Sequence, residues 1–227
     1  MTQEQKYIQR QKYLLYNLDL INRVDINKIK LVAGVDSAYW KVGKTEYAVC
    51  CIVVIDYQTK EVIEKVYNTD IITVPYIPGC LAFREMPLFL KTRSMLRSTP
   101  DLFMFDGNGY LHPRHIGLAT HAGILLNIPS IGVAKTYFKI NNTDYIEPEN
   151  KKFAHTNIVI NNEVYGRALR TQINVKPIFV STGNKIDLDT ATQITSNLID
   201  KESHIPVPTR LADIMTHQKR KEIKELM

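Results

Sequence analysis

Little in this chain points to covalent staples, membrane insertion or export. Its 227 residues include only three cysteines, Cys50, Cys51 and Cys80. An odd number without a C-x-x-C pair argues against a disulfide scaffold and against a zinc site. Cys50 and Cys51 fall inside the apolar run AVCCIVVI, which predicts buried thiols in a reducing compartment. No apolar run approaches the roughly 18 to 20 residues of a membrane span. The opening MTQEQKYIQRQKYLLYNL is charged and amphipathic and lacks the apolar core and cleavage site of an export signal. Internal repeats and low-complexity linkers are absent too. A cytoplasmic protein with no membrane association is expected.

What is there fits one domain, residues 1–227, long enough for a full core. A hydrophobic fraction of 44% and a mean hydropathy of −0.17 belong to a soluble globular chain. The net charge of +6 favours a polyanionic partner, although many basic proteins bind none.

Periodicity supplies the order of elements. Within residues 1–18, Ile8, Leu14, Leu15 and Leu18 have the spacing of an amphipathic helix. Three runs rich in β-branched residues follow, at 30–39, 47–56 and 61–73, with turns at Gly43 and at Gln58-Thr59. Such short connections predict an antiparallel meander. Residues 81–96 return to helical spacing, with a bend or restart expected at Pro87. Then come a buried strand at 101–106, a helix at 116–126 and a buried strand at 130–134, the order of a parallel β-α-β unit. Further strands are expected within 151–169 and at 177–181, and closing helices at 188–198 and 209–226. Thr209 is the expected cap of the last helix, with Asp213 in its first turn; residues 217–227 form its basic end. Three antiparallel strands followed by strand, helix, strand is the order of a ribonuclease H-like α/β fold, a mixed central sheet flanked by helices.

Four carboxylates draw attention within that frame. Asp36 sits inside an apolar strand, where an acid is costly unless it is paired or binds metal; the alternative is a turn residue at a strand end. Asp106 closes LFMFD just before Gly107, at the strand end where parallel sheets place their sites, or else as an ordinary strand-to-turn cap. Glu85 stands next to Arg84, a pairing that by itself reads as a solvated helix face. Asp213 by itself reads as a charge favoured by the helix dipole. Together, four oxygen donors of this kind can hold divalent ions for phosphodiester hydrolysis.

The stretches VAGVDSAY, PYIPGCLAFRE, FDGNGYLHPRHIGLATHAGILLNIPSIGVAK, LRTQINVKPIFVSTGNKIDL and VPTRLAD resemble the endonuclease V family, over roughly residues 30 to 215. The resemblance implies a ribonuclease H-like fold and a Mg²⁺ cofactor for which Mn²⁺ can substitute. It also implies hydrolysis of the second phosphodiester bond 3′ to an inosine, in DNA repair. By that resemblance Asp36 and Asp106 are metal-binding aspartates, Glu85 a third catalytic carboxylate and Asp213 a further acid of the site. Lys135 in GVAK is a lysine near the scissile phosphate; a lone lysine after a strand is otherwise a surface residue. Tyr76 corresponds to the tip of a PYIP wedge, a rigid aromatic suited to stack where a base has left. Gly79, Leu81, Gly107, Gly109, His112 and Gly117 correspond to the pocket for the extruded base or to its support. His112 alone would be a satisfied turn histidine.

The chain departs from the family's common pattern in STGNK, where Pro and His are usual, so the loop 181–185 is assigned no catalytic role. Cys80 and Met86 replace residues that commonly differ in relatives, and His115 stands where arginine is frequent. The basic residues KRK of the tail are a solvated helix end or a phosphate contact. The partner is DNA or RNA containing inosine, and the protein is expected to be a monomer. Two other readings share these residues: a ribonuclease acting on inosine-containing RNA, or a ribonuclease H-like nuclease indifferent to inosine. A non-catalytic nucleic-acid binder would be expected to have lost a carboxylate, and none of the four is missing.

Overall fold

A computed structural model describes all 227 residues. Eight strands form one sheet: β1 (Leu31–Val42), β2 (Thr45–Asp56), β3 (Val62–Ile71), β4 (Leu102–Asp106), β5 (Ser130–Ala134), β6 (His155–Ile160), β7 (Glu163–Leu169) and β8 (Ile178–Asn184), in the order β3-β2-β1-β4-β5-β8-β7-β6. The first three are an antiparallel meander. β1, β4 and β5 run parallel, and β8 returns antiparallel to β5. The expected ribonuclease H-like order is therefore the observed one. No helix is long and apolar enough to cross a membrane.

The helices are α1 (Gln3–Leu15), α2 (Leu81–Arg93), α3 (Leu118–Leu126), α4 (Leu188–Asn197) and α5 (Val207–Leu226). They cover both faces of the sheet, because strand side chains alternate in direction. Val32, Leu102, Met104, Ile131 and Val133 pack with α4 and α5. Their neighbours Ala33, Val35, Phe103 and Phe105 pack with α2 and α3. Cys50 and Cys51 are buried free thiols in β2, as expected.

Several boundaries differ from expectation. α2 runs through Pro87 without interruption. The run 151–169 divides into the hairpin β6–β7, turning at Asn161 and Asn162, both with positive φ. Thr209 does not cap α5. The helix starts two residues earlier, after Pro206 and with Pro208 in its first turn, where proline's fixed φ suits a helix start. Thr209 instead donates its hydroxyl to the Pro206 carbonyl at 3.2 Å. Asp213 consequently lies in the second turn.

Candidate active site

The parallel heart of the sheet brings the acids together. Val35 of β1 is level with Phe105 of β4, so Asp36 and Asp106 are the next residues along adjacent parallel strands and share a face. Asp106 is level with Val133 of β5, which puts Lys135, two residues on, over the same face. α5 crosses there. It can lie this close because β1 has Gly34 at the crossing, where a Cβ would stand 2.1 Å from the Pro208 carbonyl carbon and oxygen. Asp213 is thereby delivered to the strand ends.

Asp36, Asp106 and Asp213 each offer a carboxylate oxygen within 4.8 Å of the others. Lys135 Nζ lies 2.6 Å from Asp106 and 3.1 Å from Asp213, so it is no plain surface lysine. Thr216, one turn beyond Asp213, has its hydroxyl 2.9 Å from Asp36 Oδ2 and 2.8 Å from the Asp213 carbonyl, its single proton shared between two acceptors. Glu85 stands outside the three-carboxylate cluster, on the α2 side. Tyr39 donates to it at 2.9 Å. The solvated-face reading of the Arg84–Glu85 pair does not hold: Arg84 is buried, paired with Glu46 at 2.7 Å, bonded to the Val74 carbonyl and set over the Tyr39 ring.

Burial makes this cluster electrostatically unfavourable without a cation. The Asp36 carboxyl is pushed up from an ordinary 3.8 to about 7, by desolvation first and the Asp106 charge second. Glu85 rises from 4.5 to about 8, again by desolvation, with the Tyr39 hydrogen bond opposing and the charges of Asp36 and Asp106 adding. Desolvation raises Asp106 too, against the pull of Lys135. Asp36, Asp106 and Asp213, with Glu85 beside them, form a hard-oxygen donor set that fits Mg²⁺ or Mn²⁺.

A stability measurement checks this. In the absence of metal the folded protein binds more protons than the unfolded chain between about pH 4 and pH 8, the span between the unfolded and folded values of Asp36 and Glu85. Stability from these groups is therefore full below pH 4 and lost as pH rises through 7 to 8. The melting temperature in EDTA is expected to fall over that range more steeply for wild type than for Asp36→Asn. Added Mg²⁺ should raise it more at pH 8 than at pH 5. Parallel pH profiles for wild type and Asp36→Asn would contradict the raised Asp36 value.

A cavity opens beside this cluster, on the loop that follows β4. Tyr76, Gly79, Leu81, Ala82, Asn108, His112, Ile116, Gly117, Leu118 and Phe138 line it. The expected wedge residue Tyr76 and four of the six residues expected at the pocket or its support are thus in its wall: Gly79, Leu81, His112 and Gly117. Gly107 and Gly109 are not. They support the loop from behind, where a Cβ on Gly109 would stand 2.1 Å from the Thr182 carbonyl oxygen. Tyr76 is largely exposed at the rim. Asn108 and Phe138 were not foreseen. Asn108 has a buried, unpartnered Oδ1. Phe138 lies nearly parallel to the His112 ring, with centroids 6.3 Å apart.

His112 meets both of its readings, since it lines the cavity and is also satisfied. Its Nδ1 accepts from the Arg114 backbone N–H at 3.2 Å, so Nε2 carries the proton and donates to the Gly79 carbonyl at 3.0 Å. Burial first, then the Arg114 charge, lowers its pKa to about 4. Neither nitrogen is free for acid–base work. Asn184, in the departing STGNK stretch, is a strut: it donates to the Gly123 carbonyl and accepts from the Asp19 N–H. His115 stacks on Tyr110 at 4.1 Å. In the tail, Lys219 pairs with Glu222 and lies over the Tyr67 ring.

The endonuclease V family model matches residues 15–214. The chain is 58% identical to an endonuclease V of Bacillus thuringiensis subsp. konkukian, covering 97% of this chain and 94% of that one. The crystal structure of the Bacillus subtilis endonuclease V superposes with a TM-score of 0.97 at 51% identity, over 100% of this chain and 96% of the other. A Ciona intestinalis endonuclease V, solved in complex with a 24mer DNA containing an inosine followed by a ribo-adenosine, superposes at 0.85 with 28% identity, over 97% and 99% of the two chains.

Proposed function

The chain belongs to the endonuclease V family, and from that premise we propose that it nicks an inosine-containing strand by metal-dependent hydrolysis, Asp36, Asp106 and Asp213 holding the metal. One observation above all supports this reading. The loop that leaves the cluster at Asp106 lines the base-sized cavity at Asn108. Two residues span at most about 7 Å of chain, so a base in the cavity has its own strand's phosphates close to the carboxylates.

In this reading the extruded base enters the cavity that His112 and Phe138 line with nearly parallel rings. Tyr76 fills the gap the base leaves. A divalent ion held by Asp36, Asp106 and Asp213 would supply Lewis-acid polarisation of the phosphate and a nucleophilic water near neutral pH. Thr216 orients Asp36, Tyr39 orients Glu85, and Lys135 offsets charge gathering on the phosphate oxygens. Water adds to phosphorus, the P–O3′ bond breaks and O3′ takes up a proton, leaving 3′-hydroxyl and 5′-phosphate ends. The bond cut is the second one 3′ to the inosine, the resident ion is Mg²⁺, and the setting is DNA repair by a cytoplasmic monomer.

Matched DNA and RNA oligonucleotides with one inosine each, and inosine-free controls, test this in Mg²⁺ and in EDTA. The expected result is one cut, one nucleotide beyond the inosine, lost with EDTA. Equal cutting of inosine-free strands would remove the base pocket from the reading, and the preferred strand tells a DNA enzyme from an RNA enzyme.

A further inference from the structure

Hydrogen bonding alone cannot give this pocket its selectivity. Inosine differs from adenosine by a 6-oxo group and a protonated N1, which donors and acceptors can read. Guanosine has both of those features and adds only a 2-amino group. A pocket that accepts inosine and refuses guanosine must therefore do so at the 2-amino group, by leaving it no room or no partner, and the spacing of the walls sets both.

In this structure the walls are tied together from outside. Two of them are the segment at Gly79 and the segment at Ile116 and Gly117. Gln11 of α1 is completely buried. Its side-chain amide donates to the Gly79 carbonyl at 2.9 Å and to the Ile116 carbonyl at 3.3 Å. Its Oε1 accepts from Arg114 Nε at 2.6 Å, and Arg114 Nη2 donates to the same Gly79 carbonyl at 2.6 Å. With His112 Nε2, three donors converge on that one oxygen. Gly79 itself has φ +73, and a Cβ there would stand 2.8 Å from Arg114 Nη2. α1 buries only Tyr7 and Gln11. Tyr7 stacks on Phe83 at 4.1 Å, which docks the helix and leaves Gln11 facing the back of the pocket. A polar side chain with no exposure is costly unless its bonds are made, and those bonds run to two segments of the wall of one cavity.

We infer that Gln11, with Arg114, is a positioning residue that sets the width of the base pocket and so excludes guanosine. The inference rests on the inosine reading above and goes beyond the family match, which begins at residue 15. Gln11 touches no reacting atom and acts through Gly79 and Ile116.

The test compares the full-length protein with its Gln11→Leu, Arg114→Lys and Ile194→Ala variants. Substrates are single-stranded oligonucleotides identical except for inosine or guanosine at one position, in Mg²⁺ and well below each melting temperature. Ile194 is on α4, in the core cluster separate from that of α2 and α3, and does not line the pocket; its variant controls for lost stability. Gln11→Leu is expected to lower the inosine-to-guanosine ratio of kcat/KM by about tenfold or more, the scale on which pocket size discriminates. Most of the change should come from a raised KM for inosine and new cutting at guanosine, with kcat on inosine kept. Ile194→Ala should leave the ratio unchanged. An unchanged ratio in Gln11→Leu overturns the inference, as does wild type cutting guanosine as well as inosine. If Gln11→Leu does not fold, Arg114→Lys decides: the same fall supports the inference and no change overturns it. Wild type that ignores inosine altogether would instead sink the underlying reading.

Discussion

Asp106→Asn is expected to cut inosine-dependent cleavage by about 10³-fold or more, while the protein stays folded and still binds the inosine strand. The substitution keeps the shape of the side chain and removes its charge. A metal site supplies several kcal/mol of transition-state charge stabilisation, and every 1.36 kcal/mol is a factor of ten in rate. The same change leaves Lys135 with Asp213 as its remaining partner. Because desolvation raises the Asp106 pKa despite Lys135, loss of the charge should not lower the metal-free melting temperature at pH 8. Activity and stability thus move independently, which separates a lost ligand from a damaged fold. Single-turnover cleavage and a thermal melt in EDTA on the same preparation check both halves. Cleavage within tenfold of wild type in Mg²⁺ would remove Asp106 from the metal site.

Gly34→Ala should have the next largest effect, on residues it does not touch chemically. The added methyl meets backbone at 2.1 Å, the Pro208 carbonyl, and at 2.6 Å, the Thr209 nitrogen. Neither can turn aside as a flexible side chain would, so the start of α5 must lift from β1. Overpacking of this kind costs about 1–3 kcal/mol, and for a chain of this size each kcal/mol lowers the melting temperature by about 2–4 °C. The larger consequence is geometric. Asp213 and Thr216 are fixed to α5, and Asp36 to β1, so the cluster opens along the line of the displacement. A misplacement near 1 Å can cost about 10²-fold in rate. Lower kcat, a higher Mg²⁺ requirement and a lower melting temperature are expected together. Wild-type kcat with only the melting temperature reduced would show that α5 can shift without carrying Asp213 away.

Much of this was legible in the chain itself, and for physical reasons. Runs such as LFMF and IGVA are apolar throughout because they are buried on both faces, and their order with the intervening helix dictates a parallel pair. That places Asp36 and Asp106 on adjacent strands. What could not be read is what depends on contacts between distant segments. Glu85 looked like half of a surface pair because its true partner, Tyr39, is 46 residues away. Asp213 was expected in a first turn because Thr209 resembles a cap, whereas Pro208 had already set the helix. Gly107 and Gly109 were expected at the pocket or in its support without a choice between the two; only the residue between them, Asn108, is in the wall. Gln11 left no signal at all: a glutamine in a polar helix is ordinary until the rest of the chain folds over it. Two signals were present and unused. Thr216 lies three residues after Asp213, on the same helix face, and Asn161-Asn162 is a hairpin dipeptide tolerant of positive φ.

The crossing of α5 over β1 also has a bearing on time. Strands that contribute Asp36 and Asp106 leave the ribosome long before Asp213 does, and chains fold from the N-terminal side as they are made. The residues that line the pocket, from Tyr76 to Phe138, are likewise made early, and β8, on which their loop rests through Ser181 and Thr182, follows. A nascent chain can therefore hold the proposed base pocket before it has the third carboxylate, the lysine's second partner or the helix that covers the apolar face of the sheet. With Asp213 in the proposed metal site, cutting is expected to begin only when the closing helix docks, so a chain whose synthesis stops short of that helix would have the pocket residues in sequence but no completed nuclease.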